Sequence, residues 1–298
     1  MRLATTTADF APYTKTQGEA LSHIRAAGFL YADYSFCTDH ARRDGVYADD
    51  FADYIKSISR TARRLGIRLV QAHAPMGRPF EDGGALLADT LRCIDACAAW
   101  GIPNIVVHSG YRRGLSRDDT LEENRKFYLP LLARAEQYGV NILTENFNKI
   151  CLDGYYWIDN ATDLLHMVEY VGHPLFHAVL DVGHQNLQGT PQDEAIRLLG
   201  RHLYALHIQD NLGDYDSHLT PFLGTVNMDE VMTGLADIGY RGYFTFEVGR
   251  VFAPPEGRRA FPRSTRLAAA PLALRDAYER YLYELGRCVL TEYGCFEE

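Results

Sequence analysis

Four short apolar runs in this chain each end in a side chain able to hold a divalent cation. ILTENF reaches Glu145, HAVLDVGH reaches Asp181 and His184, LYALHIQD reaches His207, and YFTFEVG reaches Glu247. In a parallel α/β fold the strand ends lie at one face, so strands stopping on Glu, Asp, His and Glu can converge on one ion. Three carboxylates and an imidazole suit Mn²⁺, Zn²⁺, Co²⁺ or Mg²⁺ better than a thiolate-loving metal. Any one of these acids alone would more often cap the helix after its strand. Four in sequential strands point instead to a shared cation. A second tier stands beside them: His73 in QAHAP, His108 in VVHSG, His184, and Asp216 and His218 in DYDSH. Taken singly, each of these histidines would more often be a hydrogen-bonded core or loop residue. With the first four they make nine metal-capable groups on one rim.

The elements that must carry these residues follow from the apolar pattern. Eight β-type runs occur in order, near Arg2, Phe29, Ile67, Asn104, Asn141, Phe176, Leu203 and Tyr243. Several are near-continuous apolar stretches, as parallel strands covered on both faces should be. Amphipathic segments alternate with them and stop at Gly66, Gly101, Gly139, Gly172 and Gly239, plausible C-terminal caps. A last long helix is expected from about Leu267 to Leu290. Eight strand–helix units without a polar linker predict a (β/α)8 TIM barrel, one domain over 1–298 with a C-terminal helical extension from about residue 267. An open doubly wound sheet is the runner-up, weakened by the missing GxGxxG after the first strand. Three loops after strands are long: 148–160, rich in aromatics; 211–224, acidic with one His; and 250–266, basic and Pro-rich.

Composition bounds the function classes. With 298 residues, 47% hydrophobic and 23% charged, the chain reads as a soluble globular protein. A net charge of -9 and a pI near 5.7 argue against nucleic acid as a partner, because phosphate neutralisation needs clustered Lys and Arg. Six cysteines show no CxxC pair, the usage of a reducing compartment. The first residues lack a signal-peptide core, and no apolar run reaches the roughly 18 residues of a membrane span. A cytoplasmic protein without membrane contact is expected.

The motifs HAP at 73–75, EN at 145–146, DVGH at 181–184, HIQDN at 207–211, HLTPFLGTVNMDEV at 218–231 and FEVG at 246–249 together resemble the xylose isomerase-like barrel superfamily. That superfamily includes sugar and sugar phosphate isomerases and epimerases, and the endonuclease IV type of DNA-repair enzyme. The resemblance covers the chain from the first strand to Glu247; the final helix has no comparable signature. For the isomerases and epimerases it implies one divalent ion held by Glu145, Asp181, His207 and Glu247. The two glutamates would also exchange protons with the substrate carbon, and His184 would touch a substrate oxygen. The repair branch implies up to three zincs, with His73, His108, His184, Asp216 and His218 as added ligands. All nine positions are filled, so ligand identity does not separate the branches.

The loops do separate them. An abasic-site endonuclease needs basic rim loops, whereas the loop after strand seven carries Asp210, Asp214 and Asp216 and no Lys or Arg. Arg42 and Arg43 are offset by Asp39 and Asp44, and only 250–266 is basic. The expected function is therefore a divalent-metal-dependent sugar (or sugar phosphate) isomerase or epimerase acting through a metal-stabilised enediolate. An endonuclease IV-like zinc phosphodiesterase and a non-catalytic sugar-binding relative are the alternatives. Glu145, Glu247 and His184 are the expected catalytic groups, with Asn146 or Asp210 orienting ligands. Asn146, Tyr156, Trp157 and Arg250 are the expected substrate contacts, the aromatics (with Tyr155) forming a wall or lid or simply packing their loop. A small sugar or related polyol is the expected partner, and the long last helix would permit a homodimer.

Overall fold

The computed structural model describes residues 1–152, 156–249 and 270–298. Eight strands form a closed barrel in which each pairs with its sequence neighbours, and β1 meets β8. They are β1 Arg2–Thr6, β2 Tyr31–Ser35, β3 Arg68–His73, β4 Asn104–Val106, β5 Asn141–Glu145, β6 Phe176–Asp181, β7 Leu203–Ile208 and β8 Tyr243–Phe246. All pairings are parallel, and closure is made by the register Leu3↔Phe244 through Thr5↔Phe246. The (β/α)8 barrel expected from the alternating pattern is thus the observed architecture.

Ten α-helices lie among the described residues: α1 Gln17–Ala27, α2 Phe36–Arg42, α3 Phe51–Leu65, α4 Ala85–Trp100, α5 Arg117–Glu136, α6 Ala161–Val171, α7 Val182–Asn186, α8 Gln192–Leu199, α9 Met228–Asp237 and α10 Leu272–Glu292. Their ends follow local chemistry. Gly66 and Gly101 terminate α3 and α4 in the left-handed conformation, at φ 64° and 71°, which costs a residue with a Cβ more than it costs glycine. Asn227 caps α9 by accepting from the backbone N–H groups of Asp229 and Glu230.

Strand alternation sorts side chains between the barrel interior and the helix layer. Outward residues join a large apolar core with the helices. Inside, Val106, Leu143, Val179 and Ala205 form a separate apolar cluster of their own. Helix α10 follows β8 in sequence and packs over β1 and α1. At Gly286 it comes so close that a Cβ would stand 2.6 Å from Leu3 and 2.8 Å from Phe246. No helix among the described residues is long and apolar enough to cross a membrane.

Candidate metal centre at the barrel mouth

The polar groups of the site sit one step above that interior apolar cluster. Two residues on from Leu143, Val179 and Ala205, on the same strands and the same face, come Glu145, Asp181 and His207. Each of these three side chains is at most 2% exposed. Glu247 follows the end of β8 and is the open member, its side chain 25% exposed. Together they offer one ligand atom apiece, all within 4.8 Å of one another. Glu145 Oε2 is buried without a hydrogen-bond partner. An orphaned buried carboxylate oxygen on a residue that shares a cluster with two more carboxylates and an imidazole is what a cation would satisfy, so the residues present fit a divalent ion.

Neighbouring groups fix the geometry. His207 Nδ1 lies 3.1 Å from Glu145 Oε1 and 3.8 Å from Glu247 Oε2, while its Nε2 meets the side-chain amide of Gln71 at 2.9 Å. Asp181 both caps α7, accepting from His184 N–H at 2.8 Å, and keeps its carboxylate in the cluster. Asn146 is fully buried and closes a reciprocal pair with the Asp181 peptide: its Nδ2 donates to Asp181 O at 3.0 Å and its Oδ1 accepts from Asp181 N at 2.8 Å. It therefore braces the Asp181 backbone. Asp210 staples the loop after β7, accepting from the N–H groups of Asn211, Gly224 and Val226.

Three further groupings overlap or flank this one: Asp33, His73 and His207; His73, His108 and Glu145; and His184, Asp216 and His218. His73 Nε2 and His108 Nε2 stand 3.6 and 3.5 Å from Glu145 Oε2. His73 Nδ1 is bonded to Asp33 Oδ2 at 2.9 Å. On the other side, His184 Nδ1 pairs with Asn146 O at 2.8 Å, its Nε2 lies 3.4 Å from Asp216 Oδ1, and His218 Nε2 lies 3.1 Å from that same oxygen. His218 takes a left-handed φ of 47°, uncommon for a side chain of its size. Its Nδ1 pairs with the Glu247 carbonyl at 2.7 Å.

Burial and mutual charge pull the titrations apart. Burial alone would raise the Glu145 carboxyl, but His207, His108 and the bonds from His184 and His207 hold it well below the usual range. Burial wins at Asp181 and lifts it to about 6 against the charge of His184. Burial likewise lowers His108 to about 4. At His73 and His184 it is outweighed by Asp33, and by Asp181 with Asp216, so both lie well above an ordinary imidazole. Asp216, opposed by burial, is held down by His218 and His184. Dense mutual perturbation of this kind is shared by catalytic or metal-binding rims and by buried ion-pair networks.

An aromatic wall stands beside the cluster. Phe147, immediately after Asn146, has its ring 4.8 Å from His184, 5.4 Å from His108 and 5.8 Å from Tyr156. Tyr156 is buried and also meets Tyr111 at 6.0 Å. Trp157 is half-buried under the Arg117 guanidinium at 5.1 Å. Tyr155 and Arg250, and the basic loop 250–266, lie outside the described residues. Sequence reasoning missed Gln71, Asp33, Gln209 and Phe147. Gln71 sits two residues before His73 on the same face of β3, where period-2 counting would have found it, and Gln209 lies just past the end of β7, two residues beyond His207. Gln209 donates to Asp181 Oδ1 at 3.1 Å and to Asp216 Oδ1 at 3.0 Å, tying two of the groupings together. A Cβ on Gly183 would fall 2.2 Å from that amide.

Comparison with known proteins agrees with this architecture. Fructoselysine 3-epimerase of Escherichia coli O157:H7 is 31% identical over 119 residues, 38% of this chain and 40% of that protein. The chain spans about half the length, or less, of the curated relatives it matches. Among solved structures, D-psicose 3-epimerase with D-tagatose from Clostridium cellulolyticum H10 superposes with a TM-score of 0.79 at 18% identity, over 97% of this chain and 99% of that one. The IOLI protein with a bound zinc atom gives a TM-score of 0.75 at 16% identity over the whole of both chains. The sequence pattern of the xylose isomerase-like TIM barrel matches residues 21–267, and with the closed eight-stranded barrel this makes the chain a member of that family.

Proposed function

We propose that the protein is a divalent-metal-dependent sugar isomerase or epimerase that works by moving a proton at a carbon next to a carbonyl. The observation that carries this reading is the pairing of Glu145 and Glu247 across one ligand cluster. One is enclosed and the other half-open, on strands three places apart in the ring of eight. A carboxylate on each side of a bound sugar can take a proton from one face and return one to the other, which is epimerisation; shuttling between adjacent carbons gives isomerisation. Glu145, Asp181, His207 and Glu247 would hold the ion. When bound, such an ion supplies Lewis acidity to neighbouring hydroxyl and carbonyl oxygens. His184, at the edge of the cluster, would hold a substrate oxygen, and Phe147 with Tyr156 and Trp157 would face the apolar side of the sugar ring. Support from relatives comes from fructoselysine 3-epimerase and D-psicose 3-epimerase, both named for this class of reaction.

A screen for deuterium incorporation from solvent into ketoses, ketose phosphates and related polyols tests the reading. Exchange that depends on added Mn²⁺ or Co²⁺ is expected. Absence of exchange with any of them, in protein shown to bind metal, would leave a sugar-binding relative as the better description.

One observation favours a second reading. Beside the four-residue cluster, the nine rim residues supply two more three-residue groupings, one of them sharing Glu145, which would suit three zincs and phosphodiester cleavage. Elemental analysis near three zincs per chain together with nicking of abasic DNA would install it; about one ion and no nicking would remove it.

A further inference from the structure

Helix α10, the part of the chain without a family signature, reaches back to the barrel mouth through a buried arginine. Arg275 and Glu279, one turn apart, are both completely enclosed. An unpaired charge in such a place is strongly unfavourable. Here the guanidinium donates from Nη2 to Asp9 Oδ2 at 2.9 Å and to Glu279 Oε2. It also lies over the rings of Phe10 and Tyr278 at 5.2 and 5.3 Å. Asp9 belongs to the short 3-10 turn Thr7–Phe10 that leaves β1, so it stands on the same rim as the metal-type groups. Its second oxygen occupies the space over Gly249: a Cβ there would be 2.0 Å from Asp9 Oδ1. Gly249 is two residues beyond Glu247. The same helix makes a second polar contact with the rim, between Tyr278 OH and Thr220 Oγ1 at 2.5 Å. Thr220 follows by two residues the histidine whose ring holds the Glu247 carbonyl.

We propose that Asp9, Arg275 and Gly249 form a clamp that positions Glu247, making α10 a working part of the site. This rests on the reading of Glu247 as a metal-binding and proton-transfer group. Glu145, Asp181 and His207 stand at the paired ends of β5, β6 and β7 and are buried. Glu247 lies past the end of β8, with a quarter of its side chain exposed, and its backbone has one ladder bond, from its N–H to Ile208 O at 3.0 Å. The placement of its carboxylate therefore depends on what holds residues 247–249 from above. The enclosed Arg275 fixes Asp9, and Asp9 fits only over a residue without a side chain.

The test uses the full chain with Asp9→Asn, Gly249→Ala, Arg275→Met and Arg275→Lys, and two measurements. Amide hydrogen exchange on metal-free protein reports peptides ending at 249 and, as an internal control, those containing Glu145. Calorimetric titration with Mn²⁺ alone reports the ligand cluster. Faster exchange confined to 247–249, with Mn²⁺ bound about 10- to 100-fold more weakly, is expected for Asp9→Asn and Gly249→Ala, on the scale of lost outer-shell support. Arg275→Lys should recover part of what Arg275→Met loses. Exchange and affinity like the parent in Asp9→Asn and Gly249→Ala would overturn the clamp. So would acceleration spread equally over the Glu145 peptide, the mark of a merely structural role. Should Arg275→Met not fold, the other variants decide. Should the parent bind no Mn²⁺, Co²⁺ or Zn²⁺, the metal reading fails by itself, and exchange at 247–249 still decides the clamp.

Discussion

Two layers of side chains, one residue pair apart along the same strands, have opposite character. The lower holds Val106, Leu143, Val179 and Ala205, an apolar cluster apart from the main core. The upper holds His108, Glu145, Asp181 and His207, two positions further along each strand and almost as well enclosed. The lower layer gains from every apolar contact it makes. The upper one carries groups whose burial is costly unless they neutralise each other or a bound ion. A single step of strand periodicity thus turns apolar packing into a rim of ionisable groups.

That separation can be attacked from both sides. The largest effect should come from Glu145→Gln and Glu247→Gln, each removing a proton acceptor while keeping shape. Loss of solvent-deuterium exchange by about 10²- to 10⁴-fold, with an unchanged circular dichroism spectrum, is expected; near-parental exchange in both variants would sink the proton-transfer assignment. Chelation comes next: dialysis against EDTA should abolish turnover and lower the melting temperature, since an ion bound only by the folded state at about 100 times its Kd adds about 2.7 kcal/mol. Readdition of Mn²⁺ or Co²⁺ should restore both. Gln71→Leu, which removes the amide from His207 Nε2, is expected to weaken Mn²⁺ binding by about 10- to 100-fold as read by calorimetry. At the other pole stands Leu143→Ala in the lower layer. It should cost about 2–5 kcal/mol in urea unfolding and leave metal affinity per folded molecule where it was. A matching loss of affinity would show the two layers to be one unit.

The sequence revealed unequal amounts of this. All eight strands were legible, several because parallel strands buried on both faces are near-continuous apolar runs and the rest from their place between helical patterns. Four of the helices were not. α2 begins at Phe36, inside what reads as the tail of a strand, because Ser35 ends β2 and caps α2 in the same residue. α7 likewise starts on the capping carboxylate of Asp181. α8 is only Gln192–Leu199, and α1 carries Gly18, Ser22 and His23 among its apolar positions. Within the site, the residues at strand ends could be read from spacing. Their partners could not, since Asp33 to His73, Gln71 to His207 and Arg275 to Asp9 are pairings made by barrel closure across 40, 136 and 266 positions.

The apolar layer beneath the charged one has a further consequence. Val106, Leu143, Val179 and Ala205 lie buried just below the ionisable groups, so an ion or a polar molecule that reaches the rim would have to shed its water against hydrocarbon to go deeper. The boundary between the two layers thus sets the depth at which anything polar comes to rest.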